Sequence, residues 1–86
     1  MTAKERITET LTRAFRPVSL EVVDESARHK GHPGWREGGE THFRVRIAAA
    51  AFKGKSRVEM HRLIHAALEA ELAAGVHALA IEARAG

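Results

Sequence analysis

The chain has 86 residues, with 14 lysines and arginines against 11 acidic residues, six histidines and no cysteine. A length of this order builds one small core, so a catalytic cleft between two domains is excluded. Without sulfur there is no disulfide, no thiolate nucleophile and no iron–sulfur or zinc cage made from this chain's own cysteines. The basic excess is spread along the chain, which permits nucleic-acid contact without demanding it. The start, "MTAKERITET", is polar, and no apolar run approaches the roughly 18 residues of a membrane span. The expectation is a single domain over residues 1–86, soluble and cytoplasmic, with no signal peptide.

Thr2 and Glu5 have the spacing of a capping box, and Ile7, Leu11 and then Ala14 or Phe15 recur at helical intervals ahead of Pro17. This predicts a helix over residues 3–14. "VSLEVVDES" is rich in β-branched residues and puts Leu20 and Val22 on one face, a strand that gives way to a loop near Glu25. From Glu40 to Ala51 the alternation is clear: Phe43, Val45 and Ile47 face one way and His42, Arg44 and Arg46 the other, which makes His42 a surface residue. The alanine run that closes this segment reads as compositional background and is given no weight.

"FKGKS" predicts a turn. Ser56 and Glu59 repeat the capping-box spacing before Val58, His61, Ile64, His65, Leu68 and Leu72, a stripe closed by Gly75, so a helix is predicted over residues 57–73. "VHALAIEARA" supplies a last strand with His77, Leu79 and Ile81 on one face. The order is α-β-β-α-β, an α/β (α+β) domain. Strands on either side of the loop pair antiparallel, and a strand–helix–strand crossover is parallel and right-handed. A three-stranded mixed sheet results, with both helices on one face and the other left to solvent or a partner.

Nothing in the chain reads as an enzyme. Ser19, Ser26 and Ser56 lack a nucleophile context, and Ser56 serves better as a helix cap. "GHPG", residues 31–34, has the G-x-x-G spacing of a nucleic-acid clamp but lies between strands rather than helices, where it also reads as a turn. Lys53, Lys55, Arg57 and Arg62 face only Glu59 across the start of the second helix. Such a cluster suits phosphates or an acidic protein, though no aromatic beside it would stack a base. His61 and His65 are spaced to share a metal, but Arg62 stands where a zinc protease has glutamate, and a partly buried His61 at the helix–sheet interface is the simpler reading. His29 and His32 in the loop and His77 at the start of the last strand are either unrelated or convergent. With a parallel last strand they emerge at one end of the sheet, where imidazoles suit iron, zinc or copper.

In this order, "LEVVDES", the glycine- and histidine-bearing loop, "GETHFRVRI", "FKGKSRVEMHRLIHAAL" and "GVHALAIEARA" resemble the BolA family from about Ile7 to Arg84. The resemblance implies a fold similar to class II KH domains and a non-enzymatic role beside a monothiol glutaredoxin of the Cys-Gly-Phe-Ser type. It further implies a [2Fe–2S] cluster shared with glutaredoxin and glutathione, for iron–sulfur trafficking or iron and redox sensing. On that pattern His77 is one ligand and His29 the other, with His32 as the alternative, while Lys53, Lys55, Arg57 and Arg62 form a partner or nucleic-acid surface. The alternative function implied is a bacterial DNA-binding regulator of stress response and cell morphology. The free protein is expected to be a monomer or weak homodimer, with no cofactor when alone and no membrane contact.

Overall fold

The computed structural model describes residues 2–25, 42–76 and 78–86. Helix α1 (Ala3–Phe15) leads into β1 (Ser19–Asp24); β2 (His42–Ala48) is followed by a single 3-10 turn (Ala50–Phe52), α2 (Arg57–Ala67), α3 (Glu69–Ala74) and β3 (Ala78–Arg84).

Both capping boxes form as the spacing predicts. The Thr2 hydroxyl accepts from the Glu5 amide and the Ser56 hydroxyl from the Glu59 amide, while each glutamate carboxylate reaches back to the cap's own N–H. Four N-terminal amides of any helix lack internal partners, and these reciprocal bonds satisfy two of them at each start.

The sheet order is β1-β2-β3, with β1 and β2 antiparallel and β2 and β3 parallel. Phe43, Val45 and Ile47 on the central strand are at most 2% exposed and pack with Ile7 and Leu11 of α1, Ile64 of α2, Leu68, Val22 and Ile81 in one core. All of that apolar area lies on the helix side.

Three details depart from the sequence reading. The helix expected over residues 57–73 divides at Leu68, whose backbone (φ −101°, ψ 14°) ends α2 and starts α3. The bend leaves Leu68 2% exposed in the core and lets Arg6 Nε of α1 donate to both carboxylate oxygens of Glu71 at 3.0 Å. The second strand stops at Ala48 rather than Ala51. Ala48 and Ala49 are buried and the following turn drives Phe52 against Phe15 with ring centroids 4.9 Å apart, so the first half of the alanine run is core while Ala50 and Ala51 are exposed on the turn. Finally, His42 is 5% exposed, not a surface residue. Alternation gives the parity of the strand but does not say how far each position on that face is covered: Arg46 on the same strand is exposed.

Candidate functional site

The sheet has two ends with different chemistry. At one end β1 finishes, β2 begins and β3 begins: Asp24 pairs with Phe43, His42 pairs with Ala78, and the Glu25 amide donates to the His42 carbonyl at 2.8 Å. The loop histidines His29 and His32, and His77, lie outside the described residues. Their described neighbours do meet: Glu25 and His42 bracket residues 26–41, and Val76 and Ala78 bracket position 77, at this same end. The parallel course of β3 brings those chain segments together, as it would not had β3 run antiparallel.

At the other end Ser19, Ala48 and Arg84 are in register. The basic residues named from the sequence belong here. Lys53, Lys55, Arg57 and Arg62 are all exposed, and among the described residues none of the four is ion-paired. Glu59, their nearest acid, is committed to the cap. Its carboxyl is held below the ordinary glutamate range first by the Ser56 backbone N–H and then by the Ser56 hydroxyl, with Lys55 and Arg62 adding attraction. Arg57 and His61 of α2 line a cavity of about 710 Å³ together with Met60, Ile81, Ala83 and Arg84, and its lining continues across the sheet to Ser19 and Glu21. The start of α2 is therefore not at the loop end. Six strand steps of β2 separate the two ends of the sheet, roughly 20 Å at about 3.3 Å per residue.

Between the ends, the sheet face away from the helices is covered by an ion-pair ladder that no local pattern announces, because its members are distant in sequence. Arg44 donates to Glu25 at 3.1 Å and to Glu82 at 3.0 Å; Arg46 donates to Glu82 at 3.1 Å and to Glu21 at 2.8 Å. Arg46 first, and then Arg44, lower the Glu82 pKa. With two cations among three carboxylates, the ladder itself offers phosphate no free charge.

His61 is partly buried, as the simpler reading has it, while its neighbour His65 is exposed, and Val58 is 56% exposed rather than part of the buried stripe. Among the described residues no group of three or more histidine, aspartate or glutamate side chains is placed to hold a metal ion. No described helix is long and apolar enough to cross a membrane.

Comparison with known proteins agrees with this architecture. The BolA-like protein family matches residues 11–86. An uncharacterized protein from Sinorhizobium sp is 52% identical over 95% of this chain and 89% of its own length. The DNA-binding transcriptional regulator BolA of Escherichia coli is 46% identical over 94% of this chain and 73% of its own length. The solved BolA domain of SufE1 from Arabidopsis thaliana superposes with a TM-score of 0.89 at 47% identity, covering 99% of this chain and 93% of that domain. The chain spans only 22% of the whole SufE-like protein 1, and about half of the mammalian BolA-like protein 1 sequences. With the α-β-β-α-β order, the mixed sheet and a match over most of the sequence in agreement, the chain belongs to the BolA family.

Proposed function

We propose that this chain is a non-enzymatic cytoplasmic partner of a monothiol glutaredoxin and shares a [2Fe–2S] cluster with it, His77 and one loop histidine, His29 or alternatively His32, supplying imidazole ligands. The observation that carries the reading is the register at the loop end. His42 pairs with Ala78 and accepts from the Glu25 amide, so the segments that bear these histidines start and finish at neighbouring points.

The donor chemistry fits a shared rather than a resident cluster. With no cysteine, this chain offers imidazole and carboxylate but no thiolate, leaving the sulfur ligands to glutaredoxin and glutathione. Neutral imidazoles on one iron raise the reduction potential and make ligation sensitive to pH near the histidine pKa, properties suited to transfer or sensing. A relative named SufE-like protein 1, which carries a domain similar to this chain, is consistent with an iron–sulfur setting. Because the basic start of α2 lies at the other end of the sheet, it serves in this reading as a second contact that steers the glutaredoxin, not as the seat of the cluster.

Anaerobic titration into a cluster-loaded monothiol glutaredoxin, followed by visible circular dichroism, tests this. A new mixed-ligand spectrum is expected for the wild type, absent in His77→Ala and in one of His29→Ala and His32→Ala. If His77→Ala gives the wild-type spectrum, the ligand assignment is wrong.

The exposed, unpaired Lys53, Lys55, Arg57 and Arg62, together with the relative named as a DNA-binding transcriptional regulator, support a second reading as a DNA-binding regulator. It requires duplex binding that weakens steeply with salt and is lost on neutralising Lys53, Lys55 and Arg57. Binding that ignores salt would remove it.

A further inference from the structure

The outer edge of β3 lies beside the cavity. The Arg84 carbonyl accepts from the Ala49 amide at 3.0 Å, so the backbone groups of Arg84 point toward β2. Successive residues of a strand point their N–H and C=O to opposite sides, which turns those of Leu79, Ile81 and Ala83 outward. β3 is one of the two edge strands of the sheet, and among the described residues nothing is bonded to its outer edge.

A bare edge is a template for another strand. Here its surroundings are specific. On the helix side it is bounded by Arg57, Met60 and His61 of α2, and on the open side by Glu82 and Arg84. Glu82 is already held by Arg44 and Arg46, whereas Arg57 and Arg84 have no ion-pair partner among the described residues. The free charge beside the edge is therefore positive, over an apolar floor of Met60, Ile81 and Ala83.

We infer that the outer edge of β3 at the Arg84 end binds an extended acidic segment of another protein by strand addition. Its backbone pairs with Leu79, Ile81 and Ala83, and its carboxylates meet Arg57 and Arg84. Main-chain bonds give such an interaction its affinity and the flanking cations its choice of sequence. A nucleic acid fits less well: the described phenylalanines offer no exposed ring for stacking, with Phe43 and Phe52 at 2% or less and Phe15 packed on Phe52, and phosphates would pass close to Glu21 and Glu82. The inference is independent of which histidines ligate a cluster, since it concerns the opposite end of the sheet; with the DNA reading it competes for Arg57.

The test uses the full chain, isotope-labelled, with a capped peptide of alternating Glu and Val, its Gln–Val counterpart and a single-stranded oligonucleotide as probes. The Glu–Val peptide is expected to slow amide exchange at Leu79, Ile81 and Ala83 and leave Ala80 and Glu82, already bonded to β2, unchanged. The Gln–Val peptide is expected to bind about five- to tenfold more weakly, in line with two solvent-screened charge pairs. Arg57→Gln and Arg84→Gln, each checked for native circular dichroism, should narrow that difference. Absence of new protection at the three outward amides overturns the inference. So does equal binding of both peptides, protection by the oligonucleotide in preference to the peptide, or protection that rises with protein concentration alone, which would assign the edge to a second copy.

Discussion

The loop end of the sheet and the Arg84 end are built from the same three strands yet hold different chemistry. At the loop end the described charges are paired or acidic: Glu25 is held by Arg44, Asp24 is exposed, and the His42 carbonyl continues the β1–β2 ladder to Glu25. At the other end cations stand unpaired around a cavity. The difference teaches that cationic residues in a sequence do not mark a binding surface until their partners are known. Arg44 and Arg46 are neutralised by carboxylates on β1 and β3 and the loop root, while Lys53, Lys55, Arg57 and Arg62 are free among the described residues. Separation of the two ends also lets each be altered alone.

The largest effect is expected where the ends are joined. β2 is their common spine, and Phe43, 2% exposed, anchors it to the helices one residue from His42. Phe43→Ala removes a ring and leaves a cavity, a loss of about 3–5 kcal/mol. A domain of this size has a total stability of roughly 4–13 kcal/mol, so the variant should be largely unfolded or have a much lower urea midpoint. An unfolding curve close to wild type would mean that this end of the core repacks without the ring, and that the position of the loop root does not depend on it.

Much of this was legible beforehand for physical reasons. Both helix starts follow from a hydroxyl and a glutamate three residues apart, and the α3 stop from Gly75 (φ 138°), a backbone angle costly for any side chain. The inward set on β2 follows from alternation. The break at Leu68 was not legible, because Ile64, Leu68 and Leu72 keep helical spacing straight through it. Burial of His42 is not set by alternation, which places it with the exposed Arg46, and the ladder joins residues 19 to 38 positions apart. The placement of the basic cluster at the Arg84 end of the sheet follows from where α2 starts relative to β3, which only the assembled fold displays.

A smaller change sharpens the contrast from the Arg84 end. Ser56→Ala removes the hydroxyl that accepts from the Glu59 amide at 3.1 Å and leaves the Glu59 carboxylate held only by the backbone N–H of residue 56. The expected loss is about 1 kcal/mol, read from urea denaturation. If the ends work independently, the mixed-ligand spectrum with glutaredoxin should be unchanged while the salt dependence of partner association shifts with the altered helix start. A changed spectrum would show that the start of α2 reaches the cluster, joining the two ends into one site.

The smallest effect lies on the ladder between them and is visible mainly as a pH dependence. Hydrogen bonds from Arg46 and Arg44 hold the Glu82 carboxyl below its ordinary value of 4.5. A carboxylate whose pKa is lower folded than unfolded contributes stability that is fully present above the unfolded value and is lost as pH falls through the folded one. Wild type should therefore unfold at a slightly higher urea concentration than Glu82→Gln at neutral pH, and the two curves should converge in acid below the ordinary glutamate value. The gap should also shrink in high salt, since every member of the pairings with Glu82 is at least partly exposed. A gap that persists unchanged into acid would assign the contribution of Glu82 to packing rather than charge. Arg44 and Arg46 would then be available, beside Arg84, to an anionic partner at neutral pH as well.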